Sequence, residues 1–306
     1  MLQALKGVRH LNISAMKRAE LSIPVPWGQL RGRVWGPDDG RPVLCLHGWS
    51  DNCGTFNTLI PLLPKECRYV AVDLAGHGLS SHRPPGVFYT PPTYVMDIRR
   101  VVDSLQWSRF SIIAHSMGEC SSAVFSSLYP EMVEAVVLLD SYGFFPIDQM
   151  YQPMRQGMDE MLQFDKQTAE EKKRVYTYEG AVERLSAANP SLSEQSARIL
   201  LERGLVQVEG GVAFTRDFRI NLKNIIRMTL EQSLQLHSGI KAPMLLIIAE
   251  RQYFLSVFQH KVVKIPGDHH IHLNNPEVVA PLVSDFLMTK VLTQPAKQAK
   301  EQTSKM

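Results

Sequence analysis

The sequence predicts an α/β protein: a mostly parallel central sheet flanked by helices, interrupted by a mainly helical insertion. Three observations carry this. Short apolar runs recur with the character of buried parallel strands, at Pro42 to Leu46, Tyr69 to Leu74, Phe110 to Ala114, Ala135 to Leu139, Pro243 to Ile248 and Lys261 to Ile265. Helical patterns separate the central runs, as where Val95, Ile98, Val102 and Leu105 mark one face at helical spacing. The alternation stops between roughly Phe144 and Gly239, where the sequence turns polar, methionine-bearing and helical.

Taken in order, residues 1–20 form an N-terminal tail whose first nineteen residues hold Lys6, Arg9, Lys17 and Arg18 and no acid. That composition fits a disordered tail and a mitochondrial presequence equally. Leu21 to Val25 and Gln29 to Trp35 read as a lead-in hairpin around Pro26 and Gly28. The catalytic body is assigned to 21–143 and 240–289, with 144–239 as a cap inserted over the sheet. Inside the cap, Ser191 with Glu194 fits a capping box opening Ala197 to Leu201, and Gly210-Gly211 marks a small hairpin. Asn275-Pro276 starts a final amphipathic helix through Phe286, before a polar tail at 290–306.

Composition narrows the function. A chain of 306 residues buries a full core, and 33 basic against 30 acidic residues leave a net charge of +3, which gives nucleic acid no electrostatic footprint. Ala135 to Leu139 and Ala242 to Ala249 are the longest uncharged apolar runs and fall short of a bilayer, so no transmembrane segment is expected. Cys45, Cys53, Cys67 and Cys120 form no CxxC pair; they read as reduced core residues in an intracellular compartment, with neither a disulfide framework nor a zinc site.

The chemistry concentrates in three places. Ala114-His115-Ser116-Met117-Gly118 stands between an apolar strand and a helix start made of small residues. This is the context of a nucleophile elbow: a sharp strand-to-helix turn lifts the Ser116 hydroxyl above the sheet and requires small neighbours, of which Gly118 is one. Ala114 replaces the usual first glycine and adds one methyl group. Second, Leu46-His47-Gly48-Trp49 closes the first strand of the sheet. In a fold built on such an elbow, the loop here and the residue after the nucleophile offer N–H groups to a developing oxyanion, which nominates Trp49 and Met117. Gly48 allows close backbone approach, and His47 braces the loop. Third, Pro266-Gly267-Asp268-His269-His270-Ile271-His272 follows the last strand, and His269 is the candidate general base. No carboxylate or cysteine spacing accompanies the three histidines, so they are not assigned to a metal; His270 and His272 are expected to pack the loop or contact the cap.

With these motifs together the sequence resembles the α/β-hydrolase superfamily and, within it, the serine hydrolase-like protein family. The resemblance runs from about Pro24 to Leu287 and includes Pro26-Trp27-Gly28, the run from Val43 to Trp49, the run from Asp73 to His82 and Val137-Leu138-Leu139-Asp140. It implies an α/β-hydrolase fold and a hydrolase of peroxisomes or perinuclear vesicles. The ending Ser304-Lys305-Met306 is close to the Ser-Lys-Leu address, which makes the peroxisomal import receptor a candidate partner, with cytoplasm or mitochondrion as the alternative location.

The acid of the triad is left open. Where an aspartate is usual beyond the strand Pro243 to Ile248, the chain reads Ala249-Glu250-Arg251-Gln252. Asp140, ending the preceding strand, is the favoured acid and Glu250 the alternative; an aspartate at a strand end also serves as a cap. From Glu250 to His260 there is little room for a crossover helix, so the last one is expected to be missing. Two functions therefore compete. One is a serine hydrolase acting on a small ester, thioester or related acyl substrate through an acyl-enzyme, without a cofactor; the other is a catalytically impaired, shortened binding protein. Met150, Met154, Met158 and Met161 form either an adaptable acyl pocket or ordinary cap core.

Overall fold

The computed structural model describes residues 16, 18–141, 149–167, 174–249 and 261–294. Glu250, the rest of the connection through His260, and Ser304, Lys305 and Met306 lie outside them. The lead-in hairpin forms from β1 (Arg18–Val25) and β2 (Gly28–Trp35), with Val25 opposite Gly28. β3 (Arg41–Leu46), β4 (Cys67–Val72), β5 (Phe110–His115) and β6 (Val133–Leu139) follow as buried strands. A small hairpin of β7 (Leu205–Val208) and β8 (Gly211–Phe214) lies inside the insertion, turning at Glu209 and Gly210 so that Gly211 already pairs with Val208. β9 (Met244–Ala249) and β10 (Lys261–Ile265) complete the main sheet, ordered β1-β2-β4-β3-β5-β6-β9-β10. β3 onward pair in parallel, while β1 and β2 add the antiparallel edge.

This order places the site. The chain runs from β3 outward to β4 and then returns through α1 (Pro91–Ser104) to β5 on the other side of β3. The loops leaving β3 and β5 therefore part in opposite directions, opening a crevice at the carboxyl ends of these strands, where open α/β sheets bind ligands. His47-Gly48 leaves β3 there and Ser116 leaves β5.

Strand residues alternate between two cores because successive side chains point to opposite faces. Leu44, Leu46, Val70, Ile112, Ala114 and Leu138 share one cluster; Val43, Cys45, Tyr69, Ile113, Val137 and Leu139 share the other. Burial on both faces is why the strands read as continuous apolar runs.

The insertion contains α3 (Tyr151–Gln167), α4 (Tyr178–Ala188) and α5 (Glu194–Gly204), with Ala181, Leu185, Ala197, Leu200 and Val212 in a separate core that Leu273 also joins. The cap of α5 is Ser193, which accepts the N–H of Ser196 at 3.1 Å, two residues beyond the predicted Ser191. Ser193 also has a suitable side chain, and Ser191 is drawn instead to His270, its Oγ 3.3 Å from Nδ1. α6 (Leu230–Gly239) packs on α2 (Met117–Leu128), and Leu236 and Ile240 join the sheet core. By its contacts α6 belongs with the sheet layer, earlier in the chain than residue 240. After β10 come α7 (Ile271–Asn274) and α8 (Pro276–Leu287), the latter covering the second face. The predicted absence of a crossover helix concerns residues outside those described; β10 nonetheless pairs in parallel with β9, Lys261 opposite Leu245 and Ile265 opposite Ala249. Among the described residues, no helix is long and apolar enough to cross a membrane.

One buried arginine ties insertion to sheet. Arg203 of α5 donates from Nε and Nη2 to Asp73 after β4 at 3.0 and 2.8 Å, and from Nη1 to Glu20 of β1 at 2.8 Å. Asp73 also accepts the N–H groups of Cys53 and Leu79, so its carboxylate organises two loops. Removing one partner of such a buried pair leaves a desolvated charge. Arg203→Met is expected to destabilise the fold by about 3–5 kcal/mol. Urea unfolding midpoints measure this, and a loss below about 1 kcal/mol, the scale of an exposed pair, contradicts it.

Candidate active site

Ser116 sits between β5 and α2 with φ 51° and ψ −116°, a strained backbone for a residue with a side chain. The turn is tight because two glycines admit backbone where a methyl group would collide. A Cβ on Gly118 would fall 2.5 Å from the Leu46 carbonyl oxygen, and one on Gly48 2.8 Å from His115 Nδ1 and 3.2 Å from Ser116 Cβ. Those clashes explain both predicted glycines: the β3 loop and the α2 start touch through them. Ala114 lies wholly buried within β5, level with Leu46 and Leu138.

The loop after β10 delivers His269 to this turn. Ser116 Oγ–H donates to His269 Nε2 at 3.0 Å, and His269 Nδ1–H donates to Asp140 Oδ2 at 2.7 Å. Asp140 directly follows β6 with φ 63°, and its Oδ1 accepts the Ala249 N–H at 2.7 Å. Burial pushes the Asp140 carboxyl up, but hydrogen bonds from His269 and Ala249 outweigh burial and hold it below its ordinary value. Residues 116, 140 and 269 are thus joined in one chain of hydrogen bonds. Glu250, the other acid considered, is outside the described residues.

The backbone N–H groups of Trp49 and Met117 face no acceptor among the described residues. Met117 opens α2, where the first N–H groups have no intrahelical partner and the helix dipole favours negative charge. The Trp49 side chain reaches the insertion, Nε1 donating to the Ile220 carbonyl at 2.9 Å. His47 accepts the Leu74 N–H at Nε2, so its proton is on Nδ1, directed to the Gly48 carbonyl at 2.7 Å. Burial lowers its pKa, and both nitrogens serve the loop.

Two neighbours were not singled out in the sequence. His115, 1 % exposed, hydrogen-bonds through Nε2 to the His269 carbonyl at 2.9 Å and so anchors the backbone of that residue. Burial brings its pKa down to about 4, which keeps the ring neutral with the proton on Nε2. Asp51, 7 % exposed, lies 3.6 Å from His270 Nε2. Burial opposes both charges, yet each sustains the other: the Asp51 carboxyl is held well below its usual range and the His270 imidazolium is favoured. His270 thereby links the β3 loop to Ser191 of the insertion, and His272 meets Thr55 Oγ1 at 2.9 Å. A histidine closing an otherwise apolar strand was the available signal for His115; nothing local marks Asp51.

A cavity of about 420 Å³ opens beside Ser116, bounded by Tyr94, Met117 and Cys120 and, from the insertion, by Ile220, Lys223 and Ile226 to Met228. Met150, Met154, Met158 and Met161 are not among its lining residues: Met161 is buried and Met158 is exposed on α3. Tyr94, Met117 and Met228 supply the apolar surface in their place.

The comparisons agree with this architecture. Residues 41–176 match a family model described as alpha/beta hydrolase fold. A serine hydrolase-like protein of Danio rerio is 53 % identical across 100 % of both chains, and serine hydrolase-like protein 2 of Homo sapiens is 37 % identical across 88 % of this chain and 94 % of its own. A hypothetical protein of Pseudomonas aeruginosa superimposes with a TM-score of 0.81 at 32 % identity, covering 88 % of this chain and 99 % of that one. The thioesterase domain from the curacin biosynthetic pathway gives 0.75 at 25 % identity over 87 % and 99 %. With a relative 53 % identical across all of both chains, the chain belongs to the serine hydrolase-like family of the α/β-hydrolase superfamily.

Proposed function

We propose that the protein is a serine hydrolase that opens esters, thioesters or related acyl bonds through an acyl-enzyme. The observation that carries this is the unbroken chain Ser116 Oγ, His269 Nε2 and Nδ1, and Asp140 Oδ2, with contacts of 3.0 and 2.7 Å. Ser116 Oγ attacks the acyl carbon as its proton passes to His269 Nε2. The oxyanion is taken by the Trp49 and Met117 N–H groups, and the departing alcohol or thiol receives the proton from His269. Water then repeats the sequence on the acyl-enzyme, returning the proton to Ser116. Asp140 holds Nδ1 protonated, which leaves Nε2 bare to accept, and it stabilises the imidazolium.

Membership of a serine hydrolase-like family supports hydrolytic activity, and the thioesterase likeness supports keeping thioesters among the substrates. The test is labelling with a fluorophosphonate probe. Covalent modification of the wild type and not of Ser116→Ala is expected; folded wild-type protein that takes no label favours the non-catalytic binding scaffold. A chain-length series of p-nitrophenyl esters then sizes the acyl pocket.

A further inference from the structure

The cavity beside Ser116 is charged on one side only. Lys223 and Arg227 stand exposed on its insertion wall, and none of the described residues lining it is acidic. Their state differs from that of nearby arginines. Arg219 is committed to Asp217 at 2.7 Å and Arg203 to Asp73 at 2.8 Å, whereas Lys223 and Arg227 have no ion-pair partner among the described residues.

The wall carrying them is seated, because the Lys223 N–H donates to Glu160 Oε2 of α3 at 2.7 Å. Gly157, one turn earlier, lets the segment lie flush: a Cβ there would fall 2.6 Å from both the Lys223 carbonyl oxygen and Ile225 Cγ2. The Glu160 carboxylate is spent on that backbone contact and on Gln156 at 2.7 Å. Tyr94 and Met117 give the cavity apolar surface from α1 and α2, and Met228 adds to it beside Arg227. An apolar pocket with a few convergent charged groups selects a ligand that is apolar at one end and ionised at the other. Two cations over a low-dielectric cleft concentrate anions there.

We infer that Lys223 and Arg227 form an anion-binding rim, and that the substrate is an acyl compound bearing an ionised carboxylate or phosphate group. This deepens the hydrolase reading and rests on it. The anion has two possible sources, the far end of the acyl arm or the leaving group, and paired substrates separate them.

The first pair is a p-nitrophenyl hemiester of a dicarboxylic acid against its methyl-capped diester. The second is an acyl-phosphopantetheine thioester against the matching acyl-N-acetylcysteamine thioester. In at least one pair, wild-type kcat/KM is expected to favour the charged member by about tenfold or more, the scale of one charge-assisted contact. Raising salt from about 0.05 to 0.5 M should shrink that ratio, because the rim is exposed. Lys223→Ala/Arg227→Ala should bring the ratio close to that of the wild type at high salt, while Lys223→Arg/Arg227→Lys retains a preference. If a wild-type preparation reacts with the fluorophosphonate probe, yet its unlabelled portion shows no preference for the charged member of either pair, or a preference indifferent to salt, the rim is overturned and the hydrolase reading stands. Failure to label overturns both. The wild-type arms decide the matter even if the alanine double variant does not fold.

Discussion

Ser116→Ala is expected to lower acyl turnover by about a millionfold in kcat, the loss that accompanies removal of a nucleophile from a working triad. The physical reason is that no other group can take its place at the turn. Cys120 and Ser121 also border the cavity, but they lie within α2, away from the strained φ of 51° that displays the Ser116 hydroxyl. His269 Nε2, at 3.0 Å, is aligned to that oxygen. What survives should be the modest rate contributed by the proposed oxyanion donors and by substrate positioning. Steady-state turnover of a short p-nitrophenyl ester by wild type and variant measures it. A drop of less than about a hundredfold, well short of the loss on removing a triad nucleophile, means that Ser116 is not the nucleophile.

Asp140→Asn is expected to cost about ten-thousandfold in kcat while leaving the fold in place. Two contacts of Asp140 each demand an acceptor: Oδ1 accepts from the Ala249 N–H at 2.7 Å, and Oδ2 accepts from His269 Nδ1–H at 2.7 Å. Asparagine can satisfy Ala249 only by turning its carbonyl oxygen that way, which aims its amide N–H at His269. Nδ1 must then accept, the imidazole proton moves to Nε2, and that nitrogen can no longer receive the serine proton. In the proposed triad the three residues act as a unit, so adding Asp140→Asn to Ser116→Ala should slow turnover little further. Turnover within tenfold of wild type for Asp140→Asn, in protein with an unchanged urea midpoint, would move the acid role away from this residue.

The difference between Ser116 and Asp140 shows what local sequence can and cannot reveal. Ser116 announces itself through neighbours in the chain: an apolar strand before it, Gly118 behind it and small helix residues after it. Asp140 has no such signature, since an aspartate at a strand end also serves as a cap. Its partner His269 is 129 positions away, and the two meet because β6 and β10 flank β9 in the sheet. Likewise the capping of α5 shifted from Ser191 to Ser193, because two nearby serines have equal local merit and only the position of His270 separates them.

The sequence by itself determined the parallel strands, the tight strand-to-helix turn at Ser116, the Gly48 approach, the inserted cap and the place of His269 in chain order. Each is written in near neighbours, through apolar runs, turn residues and small side chains. Tertiary structure alone decided the strand order that opens the crevice and the meeting of Asp140 with His269. It also decided the Arg203 link to Asp73 and Glu20, the Asp51 and His115 supports, and the basic wall over the cavity. Those features depend on contacts between residues far apart in the chain, and hydrophobic periodicity reports which face of an element is buried, not which charged group will be waiting there.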